Sequence, residues 1–568
     1  SQNTGVGLGS LGSNTTASNN TAVGYLALTA NTTGTENVAI GVGALDGNTG
    51  AHSNIAIGMD AIGAANTGAN NIGIGAYSLD ANTSGLNNIG VGKYALSGNT
   101  TGHSNVAIGT DALFVNTTGV ENVAIGFTAL DANTTGSYNT TVGTDSMGAN
   151  TTGQENVAVG WNSLDSNTTG SYNIAIGASS LGVNTTGVKN AGVGYQALTA
   201  NTTASFNNAF GYDALGTNTT GAENSAFGHS ALTANTTGAN NTAVGSNALA
   251  VNTTGTQNTA VGREAVDANT TGAYNVGVGV FALSSNTTAD ANTAIGTSSL
   301  GENTTGANNT AVGRSALNAN TTGHSNTAVG KDAGIAMTSG ISNTIIGMDS
   351  GDAITTAEEC CALGENSLGG VTTGGANIGI GSAAGTNTTV LTTGARNIFI
   401  GTYAHGSAAD ANDQIVLGYQ VTSAGIDSFT FGKTTADSKI AFGATSISAP
   451  SDVRLKEDIQ DEEVGLDFIN DLRPVTFQWK KEKDVPSEMR AHVADSEERV
   501  MNGKYNHGFI AQEVKEVIDN HNLKEGFDMW QEDESDGRQR LGEGALMSVM
   551  VKAVQELSAK VEELETKL

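Results

Sequence analysis

The chain has 568 residues, with 24 Lys and Arg against 54 Asp and Glu, for a formal net charge of −30. A chain of that length is expected to hold two or more folded units, and its acidity argues against nucleic acid or an anionic membrane surface as a partner. Its 77 glycines are about twice the usual share, and proline is nearly absent. Residues 1–450 carry 8 basic and 26 acidic groups and residues 451–568 carry 16 and 28, so the balances are −18 and −12 and averaging hides no basic arm. The two cysteines, Cys360 and Cys361, are adjacent, which permits only a strained bridge and rules out a disulfide framework. No signal peptide, transit peptide or long apolar run is recognisable. The chain starts at Ser1 rather than Met, as a fragment would.

Residues 1–385 are an internal repeat. Glycine recurs at 7, 24, 41, 58, 75 and onward to 381, giving 23 hits at a period of 17. Four residues before each stands Asn, as in Asn3, Asn20 and Asn37, interrupted only by Cys360. Four residues after it stands mostly Leu, as in Leu28, Leu45 and Leu96, and then N-T-T-G or a close variant. Segments such as Asn37-Val38-Ala39-Ile40-Gly41 alternate as a strand does, with Val38 and Ile40 on one face and Ala39 on the other. Asn and Gly supply turns, and the missing proline leaves every N–H free to bond a neighbouring rung. Each unit therefore reads as two short strands and two turns, one coil of a β-solenoid whose core forms only by stacking. At about 4.8 Å per rung, such a stack is on the order of 110 Å long. The recurring Asn is expected to face inward and to bond adjacent coils. The N-T-T triplets fit the glycosylation pattern but read as turn residues. Their adjacent threonines point apart, unlike an ice-binding T-x-T face.

Between 386 and 450 the period decays. The glycines at 401, 418, 432 and 443 are spaced by 20, 17, 14 and 11 residues, as progressively shorter coils that taper and cap the stack would be. Pro450 is the first proline of the chain, and from Ser451 onward the composition turns to ordinary mixed α+β sequence. A helix is expected over Asp461–Leu472, a strand at Val475–Trp479, and a segment His507–Val514 that leads into a helix running to about Asp519. Residues 482–505 and 520–543 read as loops. Met547, Met550, Val554, Leu557, Val561, Leu564 and Leu568 follow 3-4 spacing, the seam of a coiled coil, although a helix packed on its own domain would show the same stripe.

Two resemblances follow from these motifs. The N-x-A-[VI]-G repeat with its A/S-L partner resembles the YadA-type head of trimeric autotransporter adhesins, which implies a left-handed β-roll packed as a homotrimer. The 17-residue period is longer than that family's coil, and no C-terminal membrane barrel is expected. The segments SDVRLKEDI (Ser451–Ile459), LRPVTFQWK, GFIAQEV and LMSVMVKAVQELSAKVEELE resemble, in order, the peptidase S74 family. These are the intramolecular chaperones at the C-termini of phage tail spikes and fibres. That resemblance implies a domain over 451–568 that assembles three chains, drives folding of the upstream body, and cleaves itself between Pro450 and Ser451. Ser451 would be the nucleophile and Lys456 the base, with Asp452 and Arg454 orienting them.

A Ser/Lys pair is a workable variant of the serine nucleophile, once desolvation frees the amine to take a proton. Residues five apart meet on neither a helix nor a strand, so the pair requires a turn between them or partners on different chains. The expected function is a trimeric fibre of the virion, found outside the cell after release, that attaches to a host-surface glycan or protein. An adhesin of the autotransporter type and a glycan-cleaving spike are the alternatives. The spike would need a recurrent carboxylate pair, which scattered acids such as Asp111, Glu121 and Asp131 do not provide. A membrane-tethered DNA-binding factor is disfavoured by the acidity. No cofactor, metal, nucleic acid or membrane insertion is expected.

Overall fold

The computed structural model describes the chain except residues 1, 445–446, 449–450, 452, 490, 502, 524–526 and 533–536. It divides into two compact units, Ser1–Pro450 and Ser451–Leu568.

The first unit is a β-solenoid. Twenty-three strands of three residues, β1 (Thr4–Val6) through β23 (Ile378–Ile380), recur at the 17-residue period and pair in parallel with their neighbours in sequence. The coil from Gly92 to Ile108 shows the construction. Val106, Ala107 and Ile108 pair with Val123, Ala124 and Ile125 of the next coil. Ala107 is buried and Ile108 is exposed, so the small middle residue is the one that faces the core. Gly92 has φ 139°, and a Cβ there would sit 2.4 Å from the Gly109 carbonyl oxygen, which explains why nothing but glycine recurs at that place.

Each coil holds one strand, not the expected two. The stretch after the glycine carries Tyr94 at φ 61° and Leu96 at φ 54°, left-handed conformations that no strand contains. Leu96 still donates its N–H to Ala112 O at 3.0 Å, so rung-to-rung bonding survives without extended backbone. A left-handed leucine costs about 1–2 kcal/mol, and full burial of its side chain returns a comparable amount. The tight bend is what lets 17 residues close a coil.

Two asparagine columns run through the core. Asn105 donates through Nδ2 to Gly119 O at 2.9 Å, and its Oδ1 accepts the N–H of Asn122 from the next coil at 3.0 Å. Asn99, the first residue of N-T-T, donates to Asn82 Oδ1 at 2.9 Å and to Gly102 O at 3.0 Å. Both residues have no solvent exposure. The inward asparagine expected from the repeat is therefore present, and a second ladder stands beside it. Burial also removes the Asn of these triplets from any modifying enzyme once the coil is folded.

The second ladder ends where the sequence changes. Met337, Ile354, Val371 and Leu391 take its place, and Asn320 Oδ1 is left without a hydrogen-bond partner. These larger side chains fill the space vacated at Gly334 and Gly351, which stand where other coils have Leu: a Cβ on Gly351 would meet Ile354 Cδ1 at 2.9 Å.

At the C-terminal end β24 (Ile398–Ile400), β25 (Gln414–Tyr419) and β26 (Ser428–Lys433) continue the parallel stack. The next strand, β27 (Ala436–Ala441), pairs antiparallel to β26. The expected taper thus closes by a hairpin. Its last 11-residue step is a reversal and not a further coil, because a connection of two residues cannot return the chain to a parallel start.

The second unit is small and mixed. It contains α1 (Leu466–Asp471), β28 (Val475–Phe477), β29 (Asn506–Gly508), α2 (Ala511–Asn520), β30 (Trp530–Glu532), β31 (Gln539–Leu541) and α3 (Leu546–Lys567). Its core is Phe468, Leu472, Val514, Ile518, Met529, Leu546 and Val549. Helix α1 is half the length expected, because the acidic run before Gly465 stays non-helical; the Glu556 carboxylate accepts the Leu466 N–H at 2.8 Å and fixes where the helix begins. Strands β28 and β29 form an antiparallel pair, as do β30 and β31 within a stretch expected to be loop.

Candidate active site and assembly surfaces

Ser451 opens the second unit. A single 3-10 turn, Val453–Leu455, follows it and is closed by the Lys456 N–H on Val453 O at 3.2 Å. The turn reverses the chain enough for Lys456 Nζ to donate to Ser451 Oγ at 2.8 Å. The pair therefore meets locally within one chain. Of the two routes the spacing left open, a turn between the residues or partners on different chains, the structure uses the first, a 3-10 turn that the four intervening residues do not advertise. Arg454 lies in this turn. Pro450 and Asp452 lie outside the described residues.

Ser451 and Lys456 are both exposed in the single chain. A lysine acts as a base only when burial lowers its affinity for the proton. Geometry alone leaves the pair assembled and unburied.

Residues 451–523 match the family Peptidase S74, the chaperone of endosialidase. The matched span begins at Ser451, the first residue of the second unit, and follows directly on the solenoid. It takes in the first three of the four motifs read from the sequence, and α3 lies beyond it. No significant match was found among curated proteins or among solved structures.

Two surfaces of the S74-bearing chain are apolar and uncovered. One is on the solenoid: the residue before each repeated glycine is Val, Ile, Phe or Leu in all 23 coils, yet Ile40 is 38% exposed and Ile176 is 40%. The other is on α3. Leu546, Val549 and Ala553 face the core of their own unit, whereas Met547, Met550, Val554, Leu557, Val561, Leu564 and Leu568 are exposed. The stripe itself is thus exposed, and the residues that pack on their own unit lie on a neighbouring face of the helix.

Acidic residues of the shaft form a pattern that the sequence did not disclose. Those two and five places after the glycine approach one another between coils, so that Asp131 feels the charges of Asp145 and Asp111. Burial pushes the carboxyls of Asp46, Asp80, Asp131, Asp165 and Asp352 above the usual range. Asp267 is pushed up to about 6 by burial, with the Glu264 charge adding to it. Among the described residues no group of three or more His, Cys, Asp or Glu is placed to hold a metal ion. No helix among them is long and apolar enough to cross a membrane.

Proposed function

We propose that this chain is the shaft of a homotrimeric, phage-type tail fibre or spike that attaches to a host surface, followed by a chaperone that cuts itself away. The observation that carries the reading is a coincidence at one peptide bond. The compact units divide between Pro450 and Ser451, the S74 match starts at Ser451, and the Ser451 hydroxyl accepts a hydrogen bond from Lys456.

In the cleavage step, neutral Lys456 Nζ takes the Ser451 hydroxyl proton as Oγ attacks the Pro450 carbonyl carbon. The C–N bond breaks, the proton passes to the Ser451 nitrogen, and an ester links Pro450 to Oγ. Water then hydrolyses that ester, leaving a Pro450 carboxylate and a free Ser451 amine. Arg454 and Asp452 orient the pair.

Assembly follows from the two uncovered faces. An apolar column present at every coil, and exposed or only half-buried in the lone chain, fits another copy of the same chain, in register along the whole shaft. The seam of α3 fits the same partner. Near-identical coils can pair out of step, and a C-terminal clamp removes that freedom.

Mass spectrometry of the full-length product tests the proposal. Fragments 1–450 and 451–568 are expected, while Ser451→Ala and Lys456→Ala give soluble, uncut trimer. An uncut wild-type trimer refutes the peptidase role. Normal folding of a chain lacking 451–568 refutes the chaperone role, and a stable monomeric shaft in sedimentation refutes the trimer.

A further inference from the structure

Outward positions of the solenoid form columns, because each recurs at the same place in every coil. The column just before the repeated glycine is apolar throughout, whereas the column just after it holds Lys93, Arg263, Arg314, Lys331 and Glu365. A column that accepts ammonium, guanidinium and carboxylate groups faces water. Within it, aromatic residues are concentrated in one stretch. Of the seven places from Phe127 to His229, five are Phe127, Trp161, Tyr195, Tyr212 and His229, separated by Thr144 and Ala178. Elsewhere in the 23 coils the column holds one aromatic residue, Tyr25, so a face shared along the whole shaft does not explain the cluster.

The rings are ordered. Tyr195 and Tyr212 stack at 5.3 Å with 17° between planes, and Tyr212 and His229 at 5.2 Å with 7°. Trp161 is 57% exposed and lies two coils from Tyr195, with only the Ala178 methyl group in the place between. Two rungs at about 4.8 Å put Trp161 and Tyr195 about 10 Å apart along the stack. One ring in van der Waals contact on both faces needs about 8 Å, at about 4 Å per contact. The spacing leaves room for one ring over Ala178, and a flat, apolar-faced guest fits it.

Its chemistry is set by what surrounds it. From 155 to 230 the chain carries Glu155, Asp165, Asp213 and Glu223 against Lys189, a balance of one minus four, or −3. An anionic guest is disfavoured. In the next column Ser179 and Gln196 flank the gap, half-buried polar groups suited to a guest carrying several hydroxyls, of which an aromatic side chain of a protein partner offers at most one. We propose that this stretch binds a neutral oligosaccharide, with one pyranose ring seated over Ala178 between Trp161 and Tyr195. The proposal rests on the attachment reading and names the ligand class for it.

Full-length protein titrated with neutral hexose and N-acetylhexosamine tetrasaccharides tests this by calorimetry. Saturable binding is expected for wild type. Trp161→Ala and Tyr195→Ala should each weaken it about tenfold or more, since each removes one stacking face. Ala178→Tyr should abolish it by completing the stack, without disturbing a fold that already stacks Tyr195 on Tyr212. Three results overturn the proposal: no wild-type binding to any of the tetrasaccharides, undiminished binding by Ala178→Tyr, or a changed oligomeric state in Trp161→Ala or Tyr195→Ala, which marks the aromatics as an interface rim. Labelled wild type that adheres to bacterial cells no better than Ala178→Tyr refutes the saccharide slot and leaves attachment standing. Labelled wild type that adheres to no cells refutes attachment itself.

Discussion

Replacing Asn139 by Leu isolates what one rung of the asparagine ladder contributes. Asn139 is fully buried, and Leu has a similar volume. Its Nδ2 donates to Gly153 O at 2.9 Å and to Asn122 Oδ1 at 3.1 Å, and its Oδ1 accepts the Asn156 N–H at 3.1 Å. After the change Gly153 O still accepts from Asn150 Nδ2 at 3.0 Å, and Asn122 Oδ1 still accepts the residue-139 N–H at 3.0 Å. The Asn156 N–H is the group left without an acceptor. A buried unpaired amide costs about 1–3 kcal/mol, and at roughly 2 kcal/mol local opening rises about 30-fold. In a stacked array each coil answers mainly to its neighbours, so the effect stays local. Hydrogen exchange read by mass spectrometry should show faster exchange in peptides spanning 133–170 and none near 20–60. Thr135→Ala, an exposed position in the same coil, is the control. Unchanged protection in 133–170, or a uniform loss along the whole shaft, refutes the reasoning.

The natural break in the ladder predicts the converse. Cys360 bonds Gly374 O through Sγ at 3.5 Å but offers the Asn377 N–H only a weak thiol acceptor, so Cys360→Asn should slow exchange around residue 377 by about tenfold, or roughly 1.4 kcal/mol. The acidic columns predict stabilisation by mild acid. Burial pushes the folded pKa of Asp267 up to about 6, above the ordinary aspartate range, so its carboxylate opposes folding at neutral pH and that penalty fades as pH falls from 6 toward 4. The melting temperature should rise between pH 7.5 and 4.5, and Asp267→Asn should raise it at pH 7.5 and flatten the dependence; a fall in wild-type melting temperature over that range contradicts the account. On α3 the two faces should separate: Leu557→Glu should dissociate the proposed trimer in sedimentation while leaving the 451–568 unit folded. Val549→Ala should instead destabilise that unit by roughly 2 kcal/mol, seen as a lower urea midpoint.

The repeat made the solenoid legible without coordinates. A glycine every 17 residues, an asparagine four before it and a leucine four after it demand that the same backbone event recur, and only stacking buries the small alanine face. The junction at Ser451 was equally legible, since a composition break and a motif coincide there. Three things needed the tertiary structure. That the leucines sit in left-handed turns and not in a second strand depends on φ at Tyr94 and Leu96, where rung bonding outweighs a local preference that would disfavour it. That Ser451 reaches Lys456 depends on one 3-10 turn, a conformation chosen by packing and hydrogen bonding rather than by spacing. And the facing of the strand columns was invisible in periodicity, because alternation says which residues share a face but not which face meets the core. Only the closed coil decides that, by putting alanine and asparagine where backbones crowd and leaving isoleucine and tryptophan outside.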